Sequence, residues 1–131
     1  MDSVFSVKFI VNVSDIDDLN HVNNVSYVKW MDTVAFQHLA YLTKDNPLSE
    51  YVWVVMKHEI NYLKQAVLGD EVIGKTWVGE TRGFTSERFI EFYIGDVLIA
   101  KAKTIWAMLN AKTYKPARIR ENVIKVLQPS K

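Results

Sequence analysis

Apolar and polar residues alternate at the start of the chain. Phe5, Val7, Phe9, Val11 and Val13 are apolar, with Ser6, Lys8 and Asn12 between them. A period of two predicts a strand with one buried face. The period then changes. From about Asn24 to Leu42, the apolar residues Val25, Tyr27, Val28, Trp30, Met31, Val34, Ala35, Phe36, Leu39 and Leu42 fit a helix. Only Ser26, Lys29, Thr33 and Gln37 form a narrow polar stripe along it. A helix apolar round so much of its circumference is expected to be buried on several sides. Asn46-Pro47 closes the segment.

The remainder reads as strands. One runs from Val52 to Tyr62, and Leu68-Gly69-Asp70 turns into a second, about Glu71 to Glu80. Ser86 to Ile94 and Val97 to Asn110 form a hairpin around Gly95-Asp96, with glycine at the first central position of a two-residue turn. Pro116 to Leu127 is expected to add a short helix. One strand, one long helix and four strands with short connections predict an α+β fold, a largely antiparallel five-stranded sheet wrapped on one helix. The whole of 1–131 is read as one domain. Trp53, Trp77, Phe89, Tyr93 and Trp106 are more aromatic surface than such a sheet would leave in water, so a homodimer or homotetramer is expected.

Composition narrows the function. The chain carries 16 basic and 15 acidic residues, a net charge of +1, so no global field favours nucleic acid. It has no cysteine, which removes disulfides, thiolate metal sites and cysteine nucleophiles. The beginning, MDSVFSVKF, does not read as a signal peptide, and no apolar run approaches the roughly 20 residues that span a bilayer. A cytoplasmic protein without membrane partners is expected. The sequons at Asn12 and Asn24 are then chance matches.

Chemistry concentrates between the first strand and the helix. Ser14 to Asn24 holds three acids, Asp15, Asp17 and Asp18, together with Asn20, His21, Asn23 and Asn24. Acids and asparagines before a helix can serve as caps. Asn23 or Asn24 is placed for that task, which leaves the acids without an evident structural duty. A carboxylate beside a helix N-terminus also suits acyl transfer. Backbone N–H groups can hold an oxyanion while the carboxylate attacks a carbonyl or activates water.

The run from Asp15 to Asn24, followed by Tyr27, resembles the signature of the hydroxybenzoyl-CoA thioesterase branch of the hotdog fold. It is equally similar to the matching segment of acyl-ACP thioesterases. Lys57-His58-Glu59-Ile60-Asn61-Tyr62-Leu63-Lys64, followed by Leu68-Gly69-Asp70, resembles the second strand and turn of the same family. The resemblance implies hydrolysis of an acyl-CoA or acyl-carrier-protein thioester, without a cofactor. It implies that Asp17 is the nucleophile or general base, and that Asn24 lies where a backbone N–H polarises the carbonyl. His21 and Asn23 would line the pocket loop, with Tyr27 one turn into the helix and Asn61 and Tyr62 on the strand as substrate contacts. Asn20 stands where many members have glycine; if that position needs φ > 0, asparagine is the least costly substitute.

Other candidates are weaker. His21, His38 and His58 are too dispersed for a metal motif, and His38 is expected to make an ordinary hydrogen bond. Glu59 could act as the acid only in a different branch of the fold. Arg82 and Arg88, like Lys112, Lys115, Arg118 and Arg120, suit solvated surface, or contacts to CoA phosphates or an acidic carrier protein. The alternative to a hydrolase is a non-catalytic module that binds acyl thioesters or lipids.

Overall fold

The computed structural model describes residues 4–129. The alternating stretch forms β1 (Phe5–Ile10), and the helical pattern forms α1 (Asn24–Leu42). Then come β2 (Tyr51–Tyr62), β3 (Glu71–Arg82), β4 (Thr85–Ile94), β5 (Val97–Asn110) and α2 (Glu121–Leu127). The strands make one antiparallel sheet in the order β1-β3-β4-β5-β2, with β1 and β2 at its edges.

Alternation assigns each strand two faces. Phe9, Val72, Ile90, Phe92, Ala100 and Ala102 point inward, where Tyr27, Trp30 and Met31 of α1 meet them. Small residues set the depth of that contact. A Cβ at Gly74 would lie 3.0 Å from Val34 and 3.1 Å from Phe92, so glycine lets α1 sit close on β3. A second cluster, Leu48, Met108, Ile119, Val123 and Leu127, packs α2 beyond the C-terminal half of α1. Gly95 adopts φ +58 in the expected hairpin turn.

Three expectations need correction. The first strand stops at Ile10, not Val13. Asn12 instead caps a 3-10 turn (Val13–Asp15), accepting from Ser14 N–H while Asp15 takes the Asn12 N–H, and Val13 is left in solvent. The helix is covered on one side only in the single chain, since Val25, Phe36 and Tyr41 are exposed, Phe36 to 75%. Ser26, assigned to the polar stripe, is buried because its hydroxyl donates to Asp15. Last, the five strand aromatics do not form one exposed surface. Trp77 stacks on Phe89 across β3 and β4, Trp53 packs on the α2 cluster, and all five are half-buried. The exposed apolar strand residues include Val54, Val55, Met56 and Tyr62 on the β2 edge, with Ile10 on β1 and Val97 on β5.

Candidate active site

The acidic loop is folded by its own polar groups. Backbone bonds Asp17 N–H to His21 O (2.9 Å) and Asn20 N–H to Asp17 O (3.1 Å) close a tight turn, and Ile16 bridges to Val22. Asn20 has φ +63, the left-handed conformation that asparagine tolerates. Asp17 Oδ1 accepts from the N–H groups of Leu19 (2.9 Å) and His21 (3.2 Å). Its Oδ2 has no hydrogen-bond partner among the described residues. The loop thus fixes one carboxylate oxygen and leaves the other available.

Asp15 does something different. Its two oxygens take the Asn12 N–H (3.0 Å) and the Ser26 hydroxyl (2.9 Å), and its carbonyl accepts from Asn23 N–H (2.7 Å). It ties the strand end, the loop and the first turn of α1 together, a structural duty that the residue types alone did not reveal. Asp18 is exposed.

Asn23 is the cap of α1: its side chain accepts from Val25 N–H at 2.9 Å, and its carbonyl accepts from Ser26 N–H. Asn24 N–H is the first helix amide without a partner among the described residues. An anionic oxygen placed there would meet both that donor and the positive end of the helix dipole. Tyr27 is buried, its ring in edge contact with Tyr62, Trp30 and Phe92 at centroid distances of 5.2–5.6 Å. Burial, then the nearby Tyr62 and Asp70, push its hydroxyl up to about 12. Tyr27 therefore keeps its proton at neutral pH.

The structure thus gathers Asp17, His21, Asn23, Asn24, Tyr27 and Tyr62 at one end of the helix. It does not bring in the other three expected residues. Asn61 pairs with Lys101 on the outer face of the sheet, beside Glu59, because alternation sends it opposite to Tyr62. Glu59 lies near Lys57 and Lys103 in an exposed ion network. Arg82, at the end of β3, is exposed and hydrogen-bonded to Glu80. Arg88 does not join it at the surface. It shares the inner face of β4 with Ile90 and Phe92, and is only 6% exposed.

Arg88 belongs to a buried polar group that reading for surface charge missed. Its Nη1 donates to His38 Nδ1 (2.8 Å) and Thr76 Oγ1 (3.0 Å). Arginine offers no acceptor, so His38 Nδ1 accepts and the ring proton sits on Nε2. Burial and the Arg88 charge pull His38 down to about 4, and burial lowers Arg88 to about 10. Next to this group is a cavity of about 500 Å³ between α1, the sheet and α2, lined by Ala35, Phe36, Leu39, Trp53, Arg88 and Trp106, among others.

Comparisons with known proteins agree with this architecture. The model of the Thioesterase-like superfamily matches residues 11–127. An acyl-[acyl-carrier-protein] hydrolase of Cuphea viscosissima, a chloroplast protein, is 26% identical over 132 residues, covering 98% of this chain and 30% of that protein. The chain therefore spans about a third of the length of the curated relatives it matches. Among solved structures, a predicted thioesterase from Bacillus stearothermophilus superposes with a TM-score of 0.85 at 21% identity, covering 96% of this chain and 95% of that one. A 1,4-dihydroxy-2-naphthoyl-CoA thioesterase from Synechocystis gives 0.77 at 13% identity, with 95% of each chain covered. The fold is the hotdog fold.

Proposed function

The chain belongs to the Thioesterase-like superfamily, and on that premise we propose that it hydrolyses an acyl-CoA or acyl-carrier-protein thioester to the free acid and thiol. One observation carries the reading to particular atoms. Asp17 is held by two N–H bonds on one oxygen, in a loop tied directly to the start of α1, and among the described residues neither its other oxygen nor Asn24 N–H has a partner.

In this reading the thioester carbonyl oxygen lies against Asn24 N–H and the helix N-terminus. Asp17 either attacks the carbonyl carbon or takes a proton from the water that does. The charge that develops on the carbonyl oxygen is stabilised by a donor already in place, which is where such electrostatic help is most effective. The C–S bond then breaks. On the base route the leaving thiolate takes the proton that Asp17 accepted from water. On the nucleophile route water then hydrolyses the acyl–Asp17 anhydride to the free acid, its proton going to the thiolate. His21 and Asn23 line the loop, and Tyr27 and Tyr62 form the wall behind the reacting group. Arg82, exposed at the strand end, is the residue proposed to meet phosphates of the thiol carrier.

The site is proposed to be completed by a second copy of the chain, as a homodimer or homotetramer. The exposed β2 edge and the uncovered face of α1 support this. The whole of 1–131 is taken as one catalytic unit. A cytoplasmic setting belongs to the same reading and suits a chain without cysteine. Among the described residues no helix is long and apolar enough to cross a membrane.

The test is hydrolysis by the purified protein of acyl-CoA thioesters from short to long, an aromatic acyl-CoA, and acyl-carrier-protein thioesters. Release of thiol from at least one class is expected. Binding of these compounds with no thiol release from any would make the chain a binding module.

A further inference from the structure

The mechanism above leaves one buried charge unused. Arg88 lies on the inner face of the sheet, 6% exposed, and no carboxylate among the described residues is within ion-pair distance of it. Its two acceptors, His38 Nδ1 and Thr76 Oγ1, are neutral and occupy both hydrogens of Nη1. The Nε and Nη2 hydrogens have no protein acceptor among the described residues. A guanidinium that stays charged and has no counter-charge is costly to bury.

That unpaired charge borders the cavity. Its other walls are mostly apolar: Ala35, Phe36, Leu39, Val52, Trp53 and Val78. Trp106 also lines it. One charged donor therefore adjoins an apolar space without a counter-charge among the described residues. Asp32 and Glu87 also touch the cavity, but Asp32 is exposed and Glu87 is engaged by Lys103 and the Glu80 N–H. The helix residues on the cavity wall, Asp32 to Leu39, follow Asn24 by 8 to 15 positions. At about 1.5 Å per residue that is roughly 12–22 Å from the helix N-terminus. This is the place for the far end of an acyl group and not for its thioester.

We propose that the cavity receives an acyl group ending in a carboxylate, with Arg88 as the specificity-determining residue. The inference rests on the thioesterase reading for its substrate, but its chemistry is independent of hydrolysis. A carboxylate supplies the missing counter-charge and accepts from the free edge of the guanidinium, while the chain behind it lies against apolar walls.

The experiment compares acyl-CoA thioesters of equal length ending in carboxylate, hydroxyl or methyl. Wild-type kcat/KM should favour the carboxylate by about tenfold or more over the methyl, because a site that leaves buried donors unpaired discriminates strongly. Arg88→Met should remove that preference. Binding is measured in parallel by calorimetry on the wild type, with the monoamide of a dicarboxylic acid against the fatty amide of equal length. Tighter binding of the charged amide is expected. If methyl-terminated thioesters are cleaved at least as well and the two amides bind alike, the inference is overturned while the thioesterase reading stands. If no thioester is cleaved but the charged amide is preferred, the thioesterase reading falls and this site remains. Should Arg88→Met fail to fold, the wild-type comparisons decide the question alone.

Discussion

Asp15 and Asp17 are two residues apart in sequence, and their surroundings separate their roles. Asp15 spends both oxygens on Asn12 and Ser26, so Asp15→Asn should act on stability. A loss of roughly 1–2 kcal/mol is expected, the usual effect of removing a cap, measured as a lower urea midpoint with little change in kcat. His38 offers a second test at this scale. Its folded value of about 4 lies below the ordinary value near 6.5. Between those values the unfolded chain binds a proton that the folded chain refuses. Stability should therefore be fullest above about pH 6.5 and fall as pH drops toward 4, by roughly 2–3 kcal/mol at most. Urea melts across that range should show the slope, and His38→Gln should reduce it. The sequence already contained the signal for Arg88, since Ser86, Arg88, Ile90 and Phe92 alternate on one face. Reading arginine as surface charge hid it. Asp15 was illegible for another reason: its partners are a backbone amide and a serine 11 residues away, and residue types do not encode such a lock.

The elements themselves were largely written in the hydrophobic pattern. α1 spans Asn24–Leu42 as its periodicity predicts, and the four later strands fall within a few residues of their expected limits. The first strand was misread at its end. Val11 and Val13 continue the alternation, but Asn12 and Asp15 compete for the backbone and turn it into a 3-10 helix. The closeness of α1 to β3 was not legible, because a glycine in a strand does not announce what approaches it. Gly74→Ala checks that contact. The new methyl would press on Val34, Phe92 and Phe9 within 3.0–3.3 Å, and thermal unfolding should report a loss of about 1–3 kcal/mol from overpacking.

At the scale of the whole molecule, the single chain leaves apolar surface on both the β2 edge and α1. Self-association is the expected consequence. Sedimentation equilibrium at micromolar concentration should find a dimer or tetramer, and replacing Val54 and Met56 together by lysine should shift it toward monomer; a monomeric wild type would contradict the proposed assembly. The sequence led to oligomerisation through its strand aromatics, whereas the exposed apolar positions include Val54, Val55 and Met56 on β2 and Val25, Phe36 and Tyr41 on α1. The exposure of particular side chains depends on strand twist and on α2, which pattern alone does not give. The central claim is that the chain as a whole serves one carboxylate, Asp17, beside one helix N-terminus. Asp17→Asn keeps the side chain's shape and its acceptor oxygen but cannot ionise, so it tests that claim most directly. Its kcat for the best thioester substrate should fall by about 10² to 10⁴, with the melting temperature and product binding close to wild type. Asp18→Asn and Glu59→Gln should stay near the wild-type rate. A folded Asp17→Asn protein that turns over at the wild-type rate, while Glu59→Gln is inactive, would contradict the account.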